Sequence, residues 1–268
     1  MMRWLVLAAL LGTPALAEPQ RVVSLGGAVT EIVVALGAQG DLIGRDTTSE
    51  YPASVTALPD VGYVRALNPE GVMALGPDLI LAEDNAGPPE AITVLRAAGI
   101  PFVQLPDPHT PEGVVEKIAR VGEALGRKAE ADRLAADFRA RMAAIPAREG
   151  PPKRVLFILS TQGGKVMAGG EGTSAEAIIR LAGAESVATG FKGYKPMTDE
   201  AILNAAPDVI LMMDREGALD DVLAQPALAS TPAAKAGAVV RMNGMLLLGF
   251  GPRLPEAVEQ LNAALYGG

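Results

Sequence analysis

Apolar residues in this chain fall into short blocks that alternate between two patterns. Continuous apolar runs, typical of buried strands, begin near residues 21, 42, 79, 101, 154, 209 and 239. Between them, apolar positions at helical spacing and helix-ending signals predict helices near residues 29–36, 69–75, 89–98, 174–181 and 255–265. Strands that alternate with helices over short connections favour an α/β fold whose parallel sheets are covered on both faces.

One helix–strand unit occurs twice. Residues 68–81 are NPEGVMALGPDLIL, and residues 198–211 are TDEAILNAAPDVIL. The alignment pairs Glu70 with Glu200 and places a Pro-Asp step before each strand. In the first copy Asn68 is suited to cap the helix, and Pro69 is suited to its first turn. The repetition predicts two lobes of one design.

A pair of consecutive helices is predicted between the lobes. The first closes the first lobe and has its apolar stripe at Val114, Ile118, Val121 and Leu125. A second, out-of-phase stripe predicts a helix over residues 128–145, roughly 27 Å long at ~1.5 Å per residue. We therefore predict an N-terminal lobe at 18–126, a connecting helix at 127–147 and a C-terminal lobe at 148–268. One rigid connecting helix favours a cleft that opens little.

The first 17 residues have the pattern of a signal peptide. Arg3 provides the positive charge, an apolar stretch follows, and Ala15-Leu16-Ala17 is a small-residue cleavage site. The alternative is a buried N-terminal helix, since the apolar run is too short to cross a bilayer. We expect export to the periplasm and cleavage after Ala17.

Composition excludes several kinds of partner and chemistry. The formal net charge is −8 and the basic residues are scattered, which argues against nucleic acid as a partner. The chain has no cysteine, which removes disulfides, thiolate metal sites, catalytic thiols and a lipid-bearing cysteine.

Enzyme motifs are also missing. The sequence contains neither a Gly-x-Ser-x-Gly elbow nor a Gly-x-x-x-x-Gly-Lys-Ser/Thr loop, so we expect no enzyme. The alternative is an exported enzyme on a similar two-lobed scaffold, which would need a nucleophile–base pair. His109 is the single histidine and is interpreted as a loop residue with satisfied partners. Because a zinc or manganese receptor usually needs several imidazoles, that class is disfavoured.

Several residues remain open to two interpretations. Tyr63 is either an aromatic packed on the lobe surface or a ligand-binding residue, and Tyr194 either braces a turn or faces a ligand. Arg65 and Arg215 are solvated charges on the simpler view. Residues 242–250 are apolar and interrupted by glycines, which suits either a core segment or a flat apolar ligand face that includes Met245 and Leu247.

Three motifs carry a family resemblance: VGYVRAL at 61–67, GYKP at 193–196 and LLLGFGPRLPEA at 246–257. On these motifs the chain resembles the periplasmic hemin-binding proteins that feed haem-uptake ABC transporters. They are a branch of the class that includes cobalamin- and siderophore-binding proteins. The resemblance covers essentially the whole chain after residue 17. It implies a class III periplasmic binding protein, with two Rossmann-like lobes of parallel sheet joined by one long rigid helix.

The resemblance also implies roles for individual residues. Tyr63 matches the tyrosine that ligates ferric haem iron, and Arg215 falls where an arginine of the opposite lobe approaches it. Candidates for the rest of the haem site are Arg65, Tyr194, Lys195, Met245 and Leu247, with Arg65 and Lys195 pairing with the propionates. Glu70 and Glu200 match the acidic positions that dock onto an inner-membrane permease. Some members hold a second haem with a histidine, which residues 165–168 do not offer.

The chemistry of the ligand agrees with this resemblance. Ferric iron is a hard acid and a phenolate is a hard oxygen ligand, although a free phenol ionises only near pH ~10 without help from the iron and a cationic donor. The implied protein is a monomer that binds haem and contacts the membrane only through the permease. The alternative ligands are cobalamin and a ferric siderophore. The chain after residue 17 has no tryptophan, which removes the best flat stacking surface for a corrin.

Overall fold

The computed structural model describes residues 21–147, 150–214 and 217–267. The signal segment with its predicted cleavage site after Ala17, and Arg215, lie outside the described residues. Over the described ranges, no helix combines the length and apolar character needed to cross a membrane.

The first lobe is a parallel sheet with helices on both faces. Its strands are β1 (Val22–Leu25), β2 (Leu42–Arg45), β3 (Leu79–Glu83) and β4 (Phe102–Leu105). Their order in the sheet is β2-β1-β3-β4. The helices are α1 (Gly27–Ala35), α2 (Pro69–Ala74), α3 (Pro89–Ala97) and α4 (Pro111–Ala124). Strand β1 is buried along its full length, as expected for a central strand that is covered on both faces.

The connecting helix α5 (Lys128–Ala144) leads into a second sheet of six strands. These strands are β5 (Arg154–Ser160), β6 (Val166–Gly169), β7 (Glu185–Ser186), β8 (Tyr194–Met197), β9 (Val209–Met213) and β10 (Val239–Met242). The order is β10-β9-β5-β6-β8, and β7 also pairs with β5. The helices are α6 (Ser174–Leu181), α7 (Asp199–Ala205), α8 (Ala218–Leu223), α9 (Pro226–Ala229), α10 (Pro232–Lys235), α11 (Gly244–Leu248) and α12 (Leu254–Tyr266).

The prediction of a parallel sheet is wrong for one edge of the second lobe. Strand β6 runs antiparallel to both β5 and β8. The reason is the short connection between β5 and β6, where Gly163 and Gly164 adopt φ of +64° and +72°. Two glycines in the left-handed region let the chain reverse within a few residues, whereas a parallel neighbour needs a long crossover.

The repeated unit predicted from the sequence has the same local structure in both lobes. Helix α2 is capped by Asn68, whose side chain accepts from the Glu70 amide, and α7 is capped by Thr198. Each helix ends at a left-handed residue, Gly76 with φ of +61° and Ala206 with φ of +38°. Ala206 carries the usual steric cost of this conformation for a non-glycine residue, so the shared chain path is imposed by tertiary packing.

The aspartate of each Pro-Asp step forms a hydrogen bond with the backbone at the start of the first strand of its lobe. The Asp78 carboxylate accepts from the Arg21 amide at 3.2 Å, and the Asp208 carboxylate accepts from the Arg154 amide at 2.9 Å. Both arginine side chains also donate to carbonyl groups at the end of the preceding helix. These matching contacts set each repeated helix against its sheet and make the two lobes alike.

The hydrophobic core continues through both lobes. One buried cluster includes Val29 of α1, Ile118 of α4, Phe138 of α5, Phe157 of β5 and Leu261 of α12. Two smaller clusters cover the other faces of the sheets. Because α5 belongs to the shared core, it fixes the lobes to each other by packing as well as by covalent connection.

Candidate functional site

The candidate site is a cleft of about 540 Å3 lined by residues from both lobes. This volume is in the range of small-molecule and cofactor sites. Several lining residues lie at or just after the ends of strands: Thr48, Glu83, Asp84, Asp107 and Met213. Ligands of open α/β sheets usually bind at the carboxyl ends of strands, so the topology itself places the site here.

The first-lobe side of the cleft presents Tyr63 and Arg65 from a loop that is anchored by buried apolar residues. Val61, Val64 and Leu67 pack into the core beneath the loop. Tyr63 is 44% exposed and Arg65 is exposed, and both line the cleft. The buried anchors fix the loop backbone, so the phenol and the guanidinium project from a rigid support.

The second-lobe side of the cleft is mainly apolar. Met213, Met245, Leu248 and Leu159 line it, together with Tyr194. The Tyr194 hydroxyl lies 3.1 Å from the hydroxyl of Ser174, and its ring meets Phe157 edge-on at 6.3 Å. A broad apolar surface facing a tyrosine and an arginine suits a flat ligand with a polar centre or edge.

The structure corrects the prediction for Leu247. This side chain is fully buried in the core and does not line the cleft. Residues 244–248 form helix α11, which is capped by the Asn243 side chain. Successive residues of a helix point about 100° apart, so Leu247 faces inward while its neighbours Met245 and Leu248 reach the cleft.

Lys195 also lies away from the cleft lining. It follows Tyr194 on β8, and successive side chains of a strand point to opposite faces of the sheet. Because Tyr194 points toward the cleft, Lys195 points away from it into solvent. We therefore leave Lys195 out of the proposed ligand site.

The first-lobe side contains a buried group of charges that the sequence analysis missed. Lys117 of α4 is 1% exposed, and its ammonium donates to the Asp107 carboxylate at 2.7 Å. The His109 ring lies 3.6 Å from the same carboxylate and packs on Phe250 at 5.2 Å. His109 thus has partners, as the sequence analysis expected, but it also lines the cleft.

Burial and neighbouring charges set the ionisation of this group. Burial raises the pKa of Glu83 to about 7, and nearby Lys117 and Arg65 limit the increase. Burial also acts to raise the pKa of Asp107, but hydrogen bonding by His109 and the charge of Lys117 outweigh it, so that pKa is lowered. The cleft therefore holds one carboxyl that stays ionised and another that gains or loses a proton near neutral pH.

Glu70 and Glu200 occupy matching positions outside the cleft. Each is exposed and is the second residue of its helix, α2 or α7. Each helix precedes a strand of the parallel part of its sheet, so its first turn lies at the edge where those strands end. Both carboxylates are therefore on the side of their lobe that borders the cleft.

The ends of the predicted strands could have identified cleft residues that the sequence analysis did not name. Glu83 ends β3, Asp107 follows β4 and Met213 ends β9. Over the described part of the chain, no group of three or more histidine, aspartate and glutamate side chains is arranged to hold a metal ion.

Two similar α/β lobes around a cleft with one polar and one apolar side define a ligand-binding protein. A family comparison agrees: residues 22–245 match the periplasmic binding protein family, and the chain belongs to this family. Proteins of this class bind a substrate for transport.

Two solved structures have closely similar folds. The periplasmic heme-binding protein BhuT, in complex with two hemes, is 41% identical with a TM-score of 0.85, over 91% of this chain and 97% of BhuT. The apo form of the periplasmic heme-binding protein RhuT from Roseiflexus sp. RS-1 is 35% identical with a TM-score of 0.88, over 92% of this chain and 98% of RhuT.

Sequence relatives extend the comparison to other ligands. The uncharacterized ABC transporter substrate-binding lipoprotein YvrC of Bacillus subtilis is 30% identical, over 93% of this chain and 81% of YvrC. A cobalamin-binding protein of Halobacterium salinarum is also 30% identical, over 93% of this chain and 70% of that protein.

Proposed function

We propose that this protein binds haem in the cleft and delivers it to an ABC importer of the inner membrane. The observation that carries the proposal is Tyr63, a half-exposed phenol on a rigid loop, facing an apolar surface of Met213, Met245 and Leu248. A phenolate is a known axial ligand of ferric haem, and the apolar surface matches the porphyrin face. The site binds its cargo and passes it on without a chemical reaction.

Arg65 complements this arrangement at the polar edge of the cleft. It is exposed and lies two residues after Tyr63, so its guanidinium projects into the same space. A guanidinium pairs with carboxylates through two parallel hydrogen bonds, which suits a haem propionate. The similarity to two heme-binding proteins at 41% and 35% identity supports the same ligand class.

Cobalamin is the second candidate ligand, because a cobalamin-binding protein is among the relatives. The composition of the cleft favours haem. Among the residues that line it, the aromatic rings are those of Tyr63, His109 and Tyr194, and the chain beyond Trp4 has no tryptophan to stack on a corrin. Titration with cyanocobalamin beside hemin separates the two ligands.

Delivery is assigned to the paired carboxylates of Glu70 and Glu200. They stand at equivalent positions of two similar lobes, both beside the cleft. Two acidic groups in this arrangement fit a pair of cationic sites on a membrane permease. Together with the signal-like segment at residues 1–17, this supports a periplasmic location.

The experiment is a hemin titration of the purified protein followed by visible absorption. We expect a high-spin ferric tyrosinate spectrum at saturation. Tyr63→Phe keeps the ring but removes the oxygen, so it should abolish the tyrosinate charge-transfer band and weaken binding at least tenfold. Tyr51→Phe is the matched control, because Tyr51 is similarly exposed, at 48%, but does not line the cleft. An unchanged spectrum for Tyr63→Phe would exclude Tyr63 as the ligand.

A further inference from the structure

Glu83 has a buried carboxyl group that faces the cleft and has no hydrogen-bond partner among the described residues. It is 9% exposed and lines the cleft at the end of β3. Among the described residues, the interactions that set its ionisation are charge interactions with Lys117, Asp107, Asp46 and Arg65, with no side-chain hydrogen bond among them. A buried acid of this kind costs free energy, so its persistence beside a ligand site points to a role in binding.

The carboxyl of Glu83 lies against residues 26–29, which we call the head of α1. A Cβ atom at Gly26 would overlap that carboxyl group, so only glycine allows the close approach. The amides of Gly26 and Gly27 donate to the side chains of Asp46 and Thr48, at 2.9 and 3.1 Å. The amides of Ala28 and Val29 donate to no described residue, and Ala28 lines the cleft.

An anion is the ligand group that the head of α1 favours. Unpaired amides and the helix dipole both attract negative charge. The charges that face Glu83 are Lys117 on α4, Asp107 after β4, Asp46 after β2 and Arg65 on the loop at 61–67. Tyr63, Asp84 and His109 are the other ionisable side chains lining the same cleft. An ionised Glu83 would repel an incoming anion, whereas a neutral Glu83 would donate a hydrogen bond to it.

We propose that Glu83 and the head of α1 form a carboxylate subsite, in which Glu83 as a neutral acid donates a hydrogen bond to a carboxylate of the ligand. The proposal rests on the proposed function, since the carboxylate would be a propionate of haem. Its consequence is that binding is coupled to a proton on Glu83. Affinity therefore decreases as pH rises, because the free protein loses this proton near pH 7.

The test compares wild type with Glu83→Gln, which keeps a neutral hydrogen-bond donor at every pH. Hemin dissociation constants are measured for both proteins from pH 6 to pH 8. The dissociation constant of wild type is divided by that of the variant at each pH, which cancels the pH dependence of hemin itself. We expect a ratio near 1 at pH 6 that rises about tenfold by pH 8, as the protonated fraction of Glu83 falls from about 0.9 to about 0.1. Glu90→Gln, on the exposed first turn of α3, should track wild type.

A second ligand tests whether the carboxylate is the group recognised. Iron protoporphyrin IX dimethyl ester keeps the iron and the ring but has no free carboxylate. With this ester, in the same solvent mixture as hemin, the ratio should stay near 1 from pH 6 to pH 8. A constant ratio with hemin would overturn the subsite, and so would an equal rise with the ester. Failure of the haem proposal is distinct, because wild type would then show no tyrosinate spectrum at any pH.

Discussion

Adjacent residues on a short helix have opposite environments in this cleft. Leu247 of α11 is fully buried, whereas Leu248 is partly exposed and lines the cleft. The two residues have the same chemistry and are one position apart, so composition does not distinguish them. Only the rotation of the helix against the second sheet decides which one contacts a ligand.

This pair gives a test at the residue scale. Leu247→Asp buries an unpaired charge and should reduce the free energy of unfolding by about 3–5 kcal/mol. Leu248→Asp should cost about 1 kcal/mol or less but weaken hemin binding, because its carboxylate enters the apolar side of the cleft. Urea unfolding and hemin titration measure the two effects. Equal loss of stability in both variants would contradict the assigned orientation of α11.

At the scale of elements, the repeated helix–strand unit supplies both structure and a candidate docking feature. Its arginine and Pro-Asp contacts hold α2 and α7 in equivalent positions. The first turns of these helices carry Glu70 and Glu200, which are exposed and have no ion pair to a described residue. Both carboxylates also lie in the first turn of a helix, where the helix dipole favours negative charge, so the docking role proposed above needs a test that separates transport from stability.

We expect Glu70→Ala with Glu200→Ala to leave hemin affinity unchanged and to reduce the free energy of unfolding by no more than about 1–2 kcal/mol, because each substitution removes a favourable first-turn charge. Haem uptake into vesicles that contain the cognate permease should fall at least tenfold. The control is Glu123→Ala with Glu185→Ala, one exposed carboxylate per lobe at the opposite ends of the sheets. Normal transport by the first double variant would rule out the docking role.

At the scale of the whole molecule, an ion pair also joins the two lobes. Arg253, just before α12, donates to Glu31 of α1 through Nε at 3.0 Å. Its guanidinium lies over the Tyr51 ring at 3.7 Å. Burial raises the pKa of Glu31 even though Arg253 opposes that effect, and the pKa of Arg253 is raised by Glu31 despite its own burial. The pair therefore depends on both lobes staying in place.

Arg253→Ala should leave Glu31 buried without its partner and reduce the free energy of unfolding by about 2–4 kcal/mol. Lys128→Ala removes the exposed pair with Asp132 and should cost less than about 0.5 kcal/mol. Small-angle scattering should show nearly the same radius of gyration for wild type with and without hemin. The radius of gyration of Arg253→Ala should change more on hemin binding, because this variant lacks an ion pair that joins the lobes. Identical stability and scattering in wild type and Arg253→Ala would show that Arg253 does not hold the lobes together.

Local pattern was enough to predict most of the regular structure. Helix α6 lies at the predicted residues, and the capping of α2 by Asn68 is confirmed. The repeat around Glu70 and Glu200 was visible because each copy depends on short-range signals: a cap, an apolar stripe and a Pro-Asp turn. The antiparallel β6 was missed because it follows from a glycine turn and not from strand periodicity.

The sequence by itself determined the two-lobed α/β design, because periodicity and a repeated unit are local signals. It directed attention to Tyr63 through the family resemblance of the short motif at 61–67. Tertiary structure decided what surrounds Tyr63. Glu83, Lys117 and the head of α1 come from separate segments that meet only where the strands of the first sheet end. That packing buries Glu83, and burial raises its pKa to about 7. No local pattern encodes it, since an isolated glutamate ionises well below pH 7.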